Sequence, residues 1–137
     1  MDIAALVTWV LAALGGFYML GVWISRGGLR REESAPTRFP PPVIFGHFLL
    51  AATGLLVWIA YLVVGAPALA WAALVILLPV ALLGFVMLAR WIPSYRARAA
   101  TAPTPPERGI PVVAVVGHGL FAVATLVLVL ITALGLG

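Results

Sequence analysis

Three long stretches of this chain carry no charged side chain, and they constrain what it can fold into. Residues 3–25, 39–89 and 109–137 contain no Asp, Glu, Lys or Arg. A helix needs about 20 apolar residues to cross a hydrocarbon core about 30 Å thick. The middle stretch is long enough for two crossings, with Gly65-Ala66-Pro67 as the turn between them. We therefore predict an all-α, integral membrane four-helix bundle with spans at about 3–25, 42–64, 68–92 and 110–134.

The composition supports a membrane protein and excludes several other classes. Hydrophobic residues make up 64% and charged residues 9% of the chain, and its mean hydropathy of +1.19 lies outside the range of soluble domains. The N-terminus has Asp2 and a full-length apolar run instead of the features of a removable signal peptide, so we expect helix 1 to be retained. Cysteine is absent, which removes disulfides and thiolate metal ligands.

The positive charge of the chain is confined to two loops. All eight basic residues are arginines in or beside the segments at about 26–40 and 93–109. The positive-inside rule predicts that both loops lie in the cytoplasm and both termini outside the cell membrane. We attribute the net charge of +4 to this topology and to contact with lipid headgroups, and we expect no nucleic-acid partner. The arginines are Arg26, Arg30, Arg31 and Arg38 in the first segment and Arg90, Arg96, Arg98 and Arg108 in the second.

Two halves of the chain repeat nearly the same pattern. The segment ALGGFYMLGVWI begins at Ala13 and ALLGFVMLARWI begins at Ala81, an offset of 68 residues. Further on, each half contains a proline followed seven residues later by the histidine of a Gly-His pair. The two histidines, His47 and His118, are 71 residues apart. The pattern predicts a single domain, 1–137, built by tandem duplication of a two-helix hairpin, with repeat 1 at about 3–64 and repeat 2 at about 68–134. A pseudo-twofold axis along the membrane normal would then place both histidines at one depth.

The two histidines are the strongest candidates for a functional site. Polar side chains inside a bilayer are costly and rarely face lipid, so both should face the bundle interior. Small residues on the same helix faces, and glycines repeated in helices 1 and 3, either clear a flat slot or allow close helix packing. These candidate slot residues are Ala51 and Gly54 after His47, Ala122 and Thr125 after His118, and Gly16 and Gly84 in the other two helices.

Two symmetric imidazoles fit a metal-centred cofactor. Diagonal helices of a bundle lie about 11–14 Å apart, which suits one iron bridged by His47 and His118. Two axial histidines in an apolar pocket describe a low-spin haem b without an open iron position. Arginines match the propionates of such a haem, and the nearest candidates are Arg26, Arg38, Arg90 and Arg108. Zinc is disfavoured because it needs three or four protein ligands, and proton transport because the spans lack acidic residues.

This arrangement resembles the small b-type membrane cytochromes and the haem-bearing anchor subunits of respiratory enzymes. The resemblance covers the four-helix architecture and the Gly46-His47 and Gly117-His118 pairs. It implies one-electron transfer, with a quinone or a further redox subunit as partner. It also implies that the chain is an electron-transfer protein or subunit and not a stand-alone enzyme.

The alternative is a cofactor-free structural or assembly subunit of a membrane complex. The histidines would then be hydrogen-bonded core residues kept by the duplication, and the bundle would pack against other membrane proteins. A homodimer that buries the same histidines also stays open. For Trp23, Trp71 and Trp91 we favour an interfacial position over contact with a cofactor, since tryptophan is enriched at membrane interfaces.

Overall fold

The computed structural model describes residues 1–30, 37–97 and 104–136. Within these ranges the chain forms four long α-helices, one short 3-10 helix and no strand. Each long helix is sufficiently long and apolar to cross a membrane. The predicted all-α transmembrane four-helix bundle is therefore confirmed. The helices are α1 (Asp2–Ser25), α2 (Pro41–Val64), α3 (Pro67–Arg96) and α4 (Val112–Ala133), and the 3-10 helix is Pro106–Gly109.

Prolines and one glycine set most of the helix boundaries. Pro40 and Pro111 are the N-caps of α2 and α4, and Pro67 opens α3, because a fixed φ and a missing N–H are tolerated at these positions. Gly65 ends α2 with φ +73°, a left-handed conformation that glycine adopts without strain. The helix α3 runs four residues beyond the predicted span end at 92, to Arg96. Parts of the two arginine-rich segments, 31–36 and 98–103, lie outside the described residues.

The four helices are arranged as two closely packed pairs. The helix α2 packs along α3, and α1 packs along α4, whereas the α1–α2 and α3–α4 seams are looser. No close backbone approach joins α1 to α3 or α2 to α4 within the described residues. Helices α2 and α4, which carry the histidines, are therefore diagonal partners, and the bundle has two layers.

Two apolar clusters close the ends of the bundle. The cluster at the Gly65 end contains Trp9, Trp58 and Val129, and it is supported by Asp2, whose carboxylate accepts hydrogen bonds from Tyr61 and Thr132 at 3.2 and 3.1 Å. The opposite end, which carries the arginines, is called here the loop end. Its apolar cluster, the loop-end cluster, consists of Trp23, Phe39, Ile44, Trp91 and Ile110.

A buried carboxylate joins the two halves of the chain at the loop end. Glu107 is 0% exposed, and its oxygens accept hydrogen bonds from Thr37 Oγ1 at 2.9 Å, Arg38 N at 2.8 Å and Ser94 Oγ at 3.4 Å. Trp23 Nε1 donates in turn to Thr37 Oγ1 at 3.0 Å. All these donors are uncharged, and they come from α1, from the segment before α2 and from α3. The network therefore fixes the 3-10 helix against both halves of the bundle.

Replacing Glu107 by alanine is expected to destabilise the bundle. The substitution leaves the Thr37 hydroxyl and the Arg38 N–H without their acceptor, while Ser94 Oγ can still donate to the Arg90 carbonyl, so the free energy of unfolding should fall by about 2–3 kcal/mol. Denaturant unfolding in detergent, followed by circular dichroism, measures this change. Glu107→Gln keeps one carbonyl oxygen and should cost less, and Arg96→Gln, at an exposed position nearby, should change the stability by less than about 0.5 kcal/mol. Equal stability of Glu107→Ala and the unaltered protein would contradict the role given to the carboxylate.

Candidate functional site

The candidate site is a cavity between the two helix layers. Its volume is about 540 Å³, which lies within the range of about 300–1,000 Å³ for small-molecule and cofactor pockets. Residues from all four long helices line it, and its wall is almost entirely apolar. Both histidines belong to the wall, one from each layer.

A main-chain carbonyl of the neighbouring helix holds each histidine in place. His47 Nδ1 donates to the Val80 carbonyl oxygen at 2.9 Å, from α2 to α3. His118 Nδ1 donates to the Ala12 carbonyl oxygen at 2.8 Å, from α4 to α1. A carbonyl oxygen can only accept, so this network assigns the proton of each neutral imidazole to Nδ1 and leaves Nε2 as a bare nitrogen.

The two Nε2 atoms are free to bind a ligand. Among the described residues, neither Nε2 has a hydrogen-bond partner. A neutral imidazole whose other nitrogen donates to a carbonyl has the form usual for a metal-ligating histidine. The site therefore offers two oriented nitrogen ligands in an apolar cavity.

The spacing of the two imidazoles suits a single metal ion between them. Their ring centroids lie 6.1 Å apart, with 58° between the ring planes. A metal bonds an imidazole nitrogen at about 2.0–2.1 Å, and that nitrogen lies about 1.1 Å from the ring centre, so an in-line bridge separates the centroids by about 6.2–6.4 Å. The observed distance is within about 0.3 Å of this value.

The contacts of the two histidines are equivalent in the two halves. The carbonyl acceptors Ala12 and Val80 are 68 residues apart, the same offset that relates the repeated segments. Gly16 and Gly84 share that offset, and a Cβ at either position would lie 3.4 Å from Cε1 of the adjacent histidine. The glycines therefore give each ring its space. This equivalence is what a duplicated hairpin predicts, and the duplication itself stays a hypothesis.

The two loose seams at the edges of the cavity differ. Phe17 of α1 and Phe48 of α2 meet edge to face at 5.3 Å between ring centroids and fill the α1–α2 seam. The corresponding positions in the second half are Phe85 and Gly119, and a Cβ at Gly119 would meet no atom within 4 Å. The α3–α4 seam therefore lacks the ring pair that fills the other edge.

Most of the small residues proposed from the sequence line the cavity, and one does not. Ala51, Ala122, Thr125, Gly16 and Gly84 all belong to the wall. The Thr125 hydroxyl already donates to the Phe121 carbonyl at 2.8 Å and lies 2.9 Å from Thr8 Oγ1.

Gly54 is buried outside the cavity wall, where a Cβ would lie 2.9 Å from Cζ2 of Trp9. Its absent side chain makes room for that indole and leaves no space for a ligand.

None of the four candidate arginines lines the cavity. Arg26 lies across Gly109, and Arg90 Nη1 donates to the Arg38 carbonyl oxygen at 3.0 Å. Arg26, Arg38 and Arg90 are exposed, and Arg108 is half-buried. Since the loop-end cluster forms the adjoining cavity wall, contact of these guanidinium groups with a ligand stays a prediction.

Sequence reasoning did not assign two tryptophans to the cavity. It favoured an interfacial position for Trp23, Trp71 and Trp91, and that position stays a prediction. Trp23 and Trp91 are buried, at 1% and 7% exposure, in the cavity wall at the loop end, whereas Trp71 is 44% exposed. The signal that could have identified them is the repeat itself, in which these two residues occupy equivalent positions at an offset of 68.

Among the described residues, no group of three or more His, Asp or Glu side chains is placed to hold a metal ion.

Comparison of the chain with models of protein families, with curated proteins and with solved structures found no match.

The hydrogen bonds to Val80 and Ala12 predict the tautomer of both histidines. In the ligand-free protein, each neutral imidazole should be protonated at Nδ1 and bare at Nε2. Nitrogen-15 NMR of histidine-labelled protein in detergent distinguishes the two ring nitrogens by their chemical shifts, and the single variants His47→Ala and His118→Ala assign the signals. Protonation at Nε2 with a bare Nδ1 in either residue would contradict the carbonyl contacts.

Proposed function

We propose that the protein is a membrane b-type cytochrome that binds one haem b between α2 and α4 and transfers single electrons. His47 Nε2 and His118 Nε2 would hold its iron. The observation that carries the proposal is the pair of bare Nε2 atoms on imidazoles whose centroids lie 6.1 Å apart across an apolar cavity. No other pair of side chains in the wall offers two metal-binding nitrogens.

The chain's own residues favour electron transfer over oxygen chemistry. When bound, haem iron supplies a reversible ferric–ferrous couple. With both His47 and His118 holding the iron, the site would favour electron transfer over the binding of oxygen. The carbonyls of Val80 and Ala12 fix both ring orientations in advance, so little rearrangement is required when the ligands bind a metal. The apolar wall disfavours water in the site.

The arginines support an orientation with the loop end in the cytoplasm. In the described residues, Arg26, Arg38, Arg90 and Arg96 are exposed at this end, whereas the carboxylate of Glu107 is fully buried. By the positive-inside rule, we propose that these arginines lie on the cytoplasmic side and both chain termini outside. Each histidine lies seven residues after its N-cap proline, about 10 Å from the loop end.

A haem at that depth serves one side of the membrane, since electrons would need a second carrier to cross the rest of the bilayer. We therefore propose that the protein acts as a subunit or partner of a larger redox complex, or exchanges electrons with a quinone.

An absorption spectrum of the purified protein tests this function. Expression with ample haem should give a protein with a sharp, low-spin b-type α band in the reduced-minus-oxidised spectrum. His47→Ala and His118→Ala should each lose this low-spin band, because either substitution removes one axial ligand. Thr53→Ala, at an exposed position of the same helix as His47, should leave the band unchanged.

Added imidazole provides a further control. It should restore the low-spin band in His47→Gly, because a free imidazole can occupy the space of the missing ring. A colourless unaltered protein, or a low-spin band that persists in both histidine variants, would overturn the proposal. The first of these outcomes would favour a cofactor-free assembly subunit.

A further inference from the structure

Trp91 carries a buried hydrogen-bond donor that the protein does not use. In the described part of the chain, its Nε1 is the one buried side-chain nitrogen or oxygen without a hydrogen-bond partner. The residue is 7% exposed and belongs to the cavity wall at the loop end. An unpaired buried donor is costly, and native proteins pair nearly all such groups. An acceptor from outside the chain would resolve the deficit.

The equivalent residue of the first half shows what is missing. Trp23 Nε1 donates to Thr37 Oγ1, which is bonded in turn to Glu107. The position 71 residues after Thr37 is Arg108. An arginine side chain contains only donors and cannot accept from an indole N–H. The second half therefore keeps the tryptophan of the repeat but has lost its acceptor.

Trp91 is also well placed relative to the histidines. Gly84, which contacts His47, is followed on the same face of α3 by Leu88 and Trp91, and all three residues line the cavity. Seven residues of helix place Trp91 about 10 Å nearer the loop end than Gly84. A ligand centred between the imidazoles and extending about 10 Å towards the loop end therefore reaches the level of Trp91 along the bundle.

We propose that Trp91 Nε1 donates a hydrogen bond to a carboxylate at one edge of the bound tetrapyrrole. This inference rests on the proposed function and deepens it. The contact fixes which edge of the macrocycle faces the loop end, and it makes the site selective for tetrapyrroles that carry acid side chains. A carboxylate is the acceptor that suits this position, because hydrogen bonds to charged groups are the stronger ones and the exposed arginines lie at the same end of the bundle.

Titration of ligand-free protein in detergent with two iron porphyrins tests the proposal. Iron protoporphyrin IX carries two carboxylates, and iron etioporphyrin carries none. Trp91→Phe removes the N–H and keeps an aromatic ring to stack on Tyr95, whose ring now lies 4.8 Å away between centroids. The Kd for iron protoporphyrin IX should rise about tenfold or more, and the Kd for iron etioporphyrin should stay within about twofold.

Trp23→Phe is the matched control, because the Trp23 N–H is already bonded to Thr37. This variant should change the affinity for both porphyrins by the same factor. An equal change for both porphyrins in Trp91→Phe, or no change for either, would overturn the proposal. Failure of the unaltered protein to give a low-spin spectrum with either porphyrin would instead overturn the proposed function, together with this inference.

The unaltered protein provides a second measurement that does not depend on the folding of a variant. The protein is labelled with nitrogen-15 tryptophan, and its indole N–H signals are recorded with the diamagnetic zinc form of each porphyrin. The two macrocycles cause similar ring-current shifts, so a difference between the two spectra reports the carboxylates. One of the five indole N–H protons should therefore move downfield with the carboxylated porphyrin only. Identical indole spectra in the two complexes would contradict the hydrogen bond.

Discussion

The hydrogen bonds from the two histidines to main-chain carbonyls are the interactions on which the site depends. Each bond pairs a histidine from one half of the chain with a carbonyl from the other half, at 2.9 Å to Val80 and 2.8 Å to Ala12. In a bilayer an unpaired polar group is costly, so these bonds offset much of the cost of placing imidazoles inside the bundle. They also assign the proton to Nδ1, and both Nε2 atoms are thereby left without a proton.

The packing of the helices explains why the histidines meet across an open space. The closely packed pairs α1–α4 and α2–α3 bring each histidine against a carbonyl of its own layer, while the looser contact between the layers leaves the cavity. Gly16 and Gly84 provide room for the rings within each layer. The proposed haem would occupy this space between the two layers.

The two halves are alike at the histidines and unlike at the loop end. The carboxylate of Glu107 accepts hydrogen bonds from Thr37 and Arg38 of the first half. Within the described residues, Trp91 Nε1 has no corresponding acceptor. The seams differ as well, since Phe48 of the first half corresponds to Gly119. Equivalent histidine contacts are thus combined with an asymmetric boundary of the cavity.

The sequence by itself determined the four transmembrane helices and identified the histidines as a related pair, because charge-free stretches and internal repeats are local patterns. It also indicated the small residues that line the cavity, but it placed Gly54 with them, although that glycine packs against Trp9. Only the tertiary structure decided the carbonyl partners, the burial of Trp91 and the role of Glu107. The reason is physical: main-chain acceptors carry no signature in a sequence, and whether a buried donor is paired depends on groups that packing brings together from distant parts of the chain.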